Sequence, residues 1–104
     1  ERAEVNLQNN NGWTPLMCSS VSGHATVASS LVHASADLAL ADLDGLTSLM
    51  LGAQHGHASV LQTLLVAGDN IGREDKVGRT AIDHAAHNLE LRAHLMAAER
   101  ANNR

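Results

Sequence analysis

Seven histidines in a chain of 104 residues are the first groups able to do chemistry. Imidazole is a common zinc ligand, so their spacing bears on a metal site. His84 and His87 are three residues apart and share one face if that segment is helical. His55 lies on the preceding expected helix and could approach them. A zinc site takes three or four ligands, often with cysteine. The one cysteine, Cys18, falls a unit further away at an apolar position, where burial is expected. No tight ligand spacing appears, so no metal ligand and no cofactor are assigned.

Catalysis has less support. Ser, His and Asp are all present, but no Gly-x-Ser-x-Gly elbow, phosphate loop or paired-carboxylate motif occurs. Asp83 and His84 are adjacent, and neighbours on a helix point in different directions. A triad geometry therefore cannot be built. No catalytic residue is assigned, and the chain is not expected to be an enzyme.

Composition narrows the classes further. The chain carries 7 Lys+Arg against 11 Asp+Glu, a net charge of -4. Nucleic-acid binders usually carry a basic patch; here the only basic concentration is Arg92, Arg100 and Arg104. No nucleic acid and no membrane are expected as partners, since no apolar run reaches the length of a bilayer span. A lone cysteine and no visible signal segment fit a reducing, intracellular setting, cytoplasmic or nuclear. There is one Trp and no Phe or Tyr, yet 44% of residues are hydrophobic, mostly Ala, Leu and Val. Small apolar helix formers suit many short packed helices better than a sheet sandwich.

The elements that must position these residues follow from a repeat. Gly12, Gly45 and Gly78 recur every 33 residues. Thr14, Thr47 and Thr80 keep the same interval, as do Leu16, Leu49 and Ile82. Gly23-His24 recurs as Gly56-His57, and Asn9, Asp42 and Asp75 align. Each Gly ends a turn, and each Thr can cap the orphan N–H groups of a helix. Pro15 suits the first helical position, and Gly23 the position just past the end. Helices are expected over 15–22, 25–34, 48–55 and 59–67, with Val27, Leu31 and Val32, then Val60, Leu61, Leu64 and Leu65, as apolar stripes. Segments 36–44 and 69–77 are expected to be turns or short hairpins.

The third unit departs from the pattern. A helix over 81–86 is expected, but the Gly-His pair is missing. A two-residue deletion restores the register and brings Leu91, Leu95 and Met96 to the positions of Val60, Leu64 and Leu65. Without it, Ala93, Ala97 and Ala98 would form a poor stripe. The first unit is rich in serine, and Ser35 stands where Gly68 ends the second helix of the next unit. It is expected to be the least stable.

These motifs, Gly12-Trp13-Thr14-Pro15-Leu16-Met17, Gly23-His24 and Ser35-Ala36-Asp37, resemble the ankyrin repeat family pattern. The resemblance covers nearly the whole chain. It implies an all-α solenoid of stacked helix–turn–helix units, with repeats over 12–44, 45–77 and a shortened 78–104. Residues 1–11 align with the tail of a preceding unit and its turn, so the chain is read as a piece of a longer array. Terminal repeats are often atypical.

The resemblance also implies a function. Such stacks usually hold another protein or peptide with turn tips and first helices on the concave side. Carried over position by position, the candidates are Asn10, Asn11, Trp13, Val21 and Ser22 in the first unit. In the second they are Leu43, Asp44, Leu46, Gln54 and His55, and in the third Lys76, Val77, Arg79 and His87. Trp13, Leu46 and Arg79 would form one row. The alternatives are a structural segment without its own partner, and a histidine-based metal site. A monomer, or weak self-association through an uncapped first repeat, is also expected. Asp83, Met17 and Met50 replace the histidine that ends the family's first motif, which weakens a structural hydrogen bond of the family.

Overall fold

Threonine caps start the first helix of every unit. Thr14, Thr47 and Thr80 have extended backbones, and each Oγ1 accepts an N–H three residues on, at 3.2, 3.4 and 3.4 Å. A computed structural model describes residues 5–102. Its helices are α1 (Pro15–Ser22), α2 (Ala25–His33), α3 (Ser48–Gln54), α4 (Ala58–Val66), α5 (Ala81–His84) and α6 (Leu89–Asn102). The described residues contain no strand. The segments between helix pairs are turns, not hairpins. The first four residues, assigned above to a preceding unit, and Arg104 lie outside the described residues.

The helices stack in two layers. α3 packs between α1 and α5, and α2 packs on α4 behind them. Leu16, Leu49, Met50, Val60, Leu61, Leu64 and Leu95 are almost completely buried and form the core with Ala28. Burying a Leu or Val contributes roughly 1.5–3 kcal/mol, so most of the stability resides between units. A polar bond reinforces the first junction. His57 Nε2–H donates to the Val21 carbonyl at 2.9 Å. Its ring occupies the space that a side chain on Gly23 would need, 2.7 Å from a Cβ there. Gly23 also has φ +77°, so both room and backbone demand glycine.

The third unit shows the effect of its shortening. Leu91 and Leu95 are buried, as Val60 and Leu64 are, while Ala93 and Ala97 are exposed. Asn88 stands in place of the missing Gly-His pair and accepts the Leu91 N–H at 3.1 Å, a cap bond that His24 and His57 do not make. α5 ends at His84, two residues sooner than expected, and residues 85–87 form a turn. The backbones of α4 and α6 stay farther apart than those of α2 and α4. A groove of about 500 Å³ opens there, lined by Gln62, Glu90, Leu91 and His94 among others.

Two expectations are corrected. Cys18 is exposed, although Leu51 at the same position of the second repeat is buried. Leu51 lies beside Trp13 of the first repeat, whereas no helix pair among the described residues lies on the corresponding side of Cys18. Asp83 does not merely lose a contact. Its Oδ2 accepts the Thr80 N–H at 3.0 Å and completes a capping box, which Met17 and Met50 cannot do.

Two residues carry identifiable costs. Ser35 has φ +70°, a conformation that costs a non-glycine residue on the order of 1 kcal/mol. Asp69 stands where the first repeat has Ala36 and is buried. Its Oδ1 accepts from Arg73 Nη1 and the Asn70 N–H, both at 2.8 Å. Its Oδ2 is buried and has no partner among the described residues. Burial pushes its carboxyl up to about 6, against the pull of the Asn70 N–H and Arg73.

Substituting Ser35→Gly should raise Tm by several degrees in a thermal melt, because the helix terminus no longer carries a side chain in the left-handed region. Asp69 makes a second, pH-dependent case. Its folded pKa exceeds the unfolded value of 3.8, so its contribution is fully present below about pH 4 and is lost as pH rises through 6. Asp69→Ala should therefore stabilise the fold at pH 7.5 by on the order of 1–2 kcal/mol, with little gain at pH 4. Chemical denaturation at the two pH values tests this, and a gain confined to pH 4 would contradict it.

Candidate partner-binding surface

Three turns with one geometry form the fingers of the stack. In each, a short acidic or amide side chain clamps the loop from inside. Asn9 Oδ1 accepts the N–H groups of Asn11 and Trp13 at 2.9 and 3.0 Å. Asp42 Oδ1 accepts those of Asp44 and Leu46, both at 2.9 Å. Asp75 Oδ1 accepts those of Val77 and Arg79 at 3.0 and 2.9 Å. The backbone closes each loop with a return bond, Asn9 to Trp13, Asp42 to Leu46 and Asp75 to Arg79. Side-chain acceptors of this kind replace backbone partners in tight turns.

Successive fingers are tied together. The Leu43 N–H donates to the Asn11 carbonyl and the Lys76 N–H to the Asp44 carbonyl, both at 3.3 Å. A Cβ on Gly45 would come within 2.8 Å of the Lys76 nitrogen, so the glycine sets this approach as well as the turn. Trp13 Nε1–H reaches across to Asp42 Oδ2 at 3.0 Å. The indole is thus fixed in orientation while part of it stays exposed.

Asp75 anchors the third finger most heavily. Its Oδ2 accepts from His84 Nε2 at 2.9 Å and Arg79 Nε at 3.2 Å. Burial raises its carboxyl, but hydrogen bonds from the Arg79 backbone, His84, the Val77 backbone and the Arg79 side chain outweigh burial and hold it at about 2. The carboxylate therefore stays ionised through the neutral range. Its stabilising contribution is lost only as pH falls from about 4 through 2.

The candidate residues fall into two groups. Asn11, Trp13, Leu43, Asp44, Leu46, Gln54 and His55 line one groove of about 480 Å³, together with Asp42 and Leu51. Leu51 is its buried floor, and Leu43 is 62% exposed at its edge. The residues outside the groove are Asn10, Val21, Ser22, Lys76, Val77, Arg79 and His87. Most of these are exposed, with Val21 half-buried. Arg79 keeps 58% of its side chain in solvent despite its bond to Asp75.

The histidines do not converge. His84 Nε2 is committed to Asp75, and His55 Nδ1–H donates to the Leu51 carbonyl at 3.0 Å. His87 is exposed. Among the described residues no group of three or more His, Cys, Asp or Glu is placed to hold a metal ion. The metal reading thus gains no support.

Sequence reasoning missed three features. Leu51 is not among the candidates, although it floors the groove. Asp42 and Asp75 were matched across repeats without their role as clamps. The groove between α4 and α6 follows from the two-residue shortening, which was read only as a change of register.

Stacked helix pairs with a shared core and protruding, mutually bonded turns define a helical repeat solenoid. A family model described as ankyrin repeats (3 copies) matches residues 1–75. The chain belongs to the ankyrin repeat family, whose general role is to bind other proteins and whose members are typically non-catalytic. The match stops before the shortened third unit. No curated protein matches the chain. No helix among the described residues is long and apolar enough to cross a membrane.

Proposed function

We propose that this chain is a non-catalytic module that binds a partner protein or peptide in the groove between its first two fingers. One observation carries the reading. Seven residues picked out from three separate stretches of sequence line a single groove with an apolar floor and a polar rim. Trp13, Leu43, Leu46 and Leu51 supply apolar surface, and Asn11, Asp44, Gln54 and His55 supply donors and acceptors around it. That combination of an apolar centre and a polar rim is the anatomy of protein interfaces. Tryptophan is over-represented among residues that dominate binding energy.

The mechanism is display without rearrangement. The clamped fingers leave little backbone entropy to lose on binding, which favours affinity. Lys76 and Arg79 extend the surface toward the third finger and add positive charge beside Asp44. A lone exposed thiol suits a reducing compartment.

Capture from cell lysate tests this reading. The bait is the chain beside a variant carrying Leu43→Ser, Leu46→Ser and Gln54→Ala, both checked for folding by circular dichroism. A control carries Val66→Ser on the opposite side of the stack. A partner held by the chain and the control, and weakened at least about tenfold by the groove variant, is the expected result (about 1.4 kcal/mol or more). Equal capture by all three would place binding elsewhere and refute the groove reading.

A further inference from the structure

The charges around the concave groove are ordered along the three fingers. The first finger carries Asn9, Asn10 and Asn11 and no charge. The second contributes Asp42 and Asp44, which both line the groove, and among the described residues no lysine or arginine lines it. The third carries Lys76, which is exposed, and Arg79, whose side chain lies mostly in solvent. The second and third fingers touch, since the Lys76 N–H donates to the Asp44 carbonyl at 3.3 Å.

The two carboxylates of the groove differ in what they can still accept. Asp42 is buried and both of its oxygens are in use, Oδ1 by the Asp44 and Leu46 N–H groups and Oδ2 by the indole. Asp44 is exposed, and its backbone, not its carboxylate, makes the bonds of the turn. No ion pair among the described residues includes Asp44 or Lys76. Beside Asp44 the groove has apolar surface from Leu43, Leu46 and Leu51, with the Trp13 ring as a wall. A wholly apolar anchor would close over Asp44 and leave its charge desolvated without a partner. A side chain with an aliphatic stem and a cationic tip meets both surfaces, as lysine and arginine do. A guanidinium also stacks on an indole face and pairs with a carboxylate through two parallel bonds.

We propose, resting on the groove reading, that the partner is a polypeptide segment that seats an arginine or lysine against Trp13 and Asp44 and carries an acidic residue toward Lys76 and Arg79. The charge order gives the bound segment a direction. The reverse order would set a carboxylate against Asp44 and a cation against Lys76, and like charges juxtaposed at an interface select against a wrong partner. The net charge of -4 also attracts a basic segment from a distance.

A displayed library of random peptides tests this, selected on the folded chain and counter-selected on the variant carrying Leu43→Ser, Leu46→Ser and Gln54→Ala. Peptides that bind the chain and not the variant should contain a lysine or arginine, with an acidic residue on one constant side of it. Fluorescence of Trp13, the one tryptophan of the chain, gives their affinities. Asp44→Lys should weaken them at least about tenfold, with Tm unchanged because the Asp44 carboxylate makes no bond in the fold. Asp44→Lys together with Lys76→Glu should bind versions of these peptides in which the basic and acidic residues have exchanged places. Groove-dependent peptides without a basic residue, or with affinities that Asp44→Lys leaves unchanged, would overturn the inference and leave the groove reading standing. A library without any groove-dependent binder would count against the groove reading itself, and the inference would fall with it.

Discussion

A short helix pair has more apolar surface than it can bury within itself, and this constraint governs the rest of the structure. α3 is buried because α1 and α5 flank it. Its residues Leu49, Met50, Leu51 and Ala53 have almost no exposed surface. Among the described residues, the corresponding helix of the first repeat has a flanking first helix on one side only, and Cys18 is exposed there. Stability is therefore a property of junctions. This is why the caps and fingers recur every 33 residues: each must meet its equivalent in the next unit.

Stacking also makes the surface. A single finger clamped by Asp42 would be a small turn on a mobile loop. Linked through Leu43 to Asn11 and through Lys76 to Asp44, the fingers become one ridge. The groove lies between two of them and the first helices, so its shape is inherited from the core. Trp13 joins the two roles. Its N–H bonds the neighbouring finger, and its ring forms a wall of the groove.

Much of this was legible from residue types and spacing. Thr14, Pro15 and Gly23 bracket α1 at the expected bounds because caps act locally. The apolar stripe of α6 was readable once two residues were removed, since Leu91 and Leu95 must keep a helical period to reach the core. What escaped depends on neighbours distant in sequence. Cys18 looks like a core residue, and its exposure follows from there being no flanking helix pair among the described residues. Asp83 reads as a lost contact, and only the positions of the Thr80 backbone and side chain turn it into a capping box. Asp69 occupies an ordinary loop position in sequence, and its burial comes from how that loop folds onto the stack. The concave candidates came from family resemblance, and residue spacing alone would not have selected them.

The central claim is that the fingers are rigid parts of the stack, and native-state hydrogen exchange at the Leu46 and Arg79 amides tests it most directly. Both amides donate to buried carboxylates, so their opening should require the loss of a clamp and of a junction. The account predicts protection within about tenfold of the core amide of Leu61, rising and falling with global stability. Exchange at the rate of a free loop, with Leu61 still protected, would contradict it.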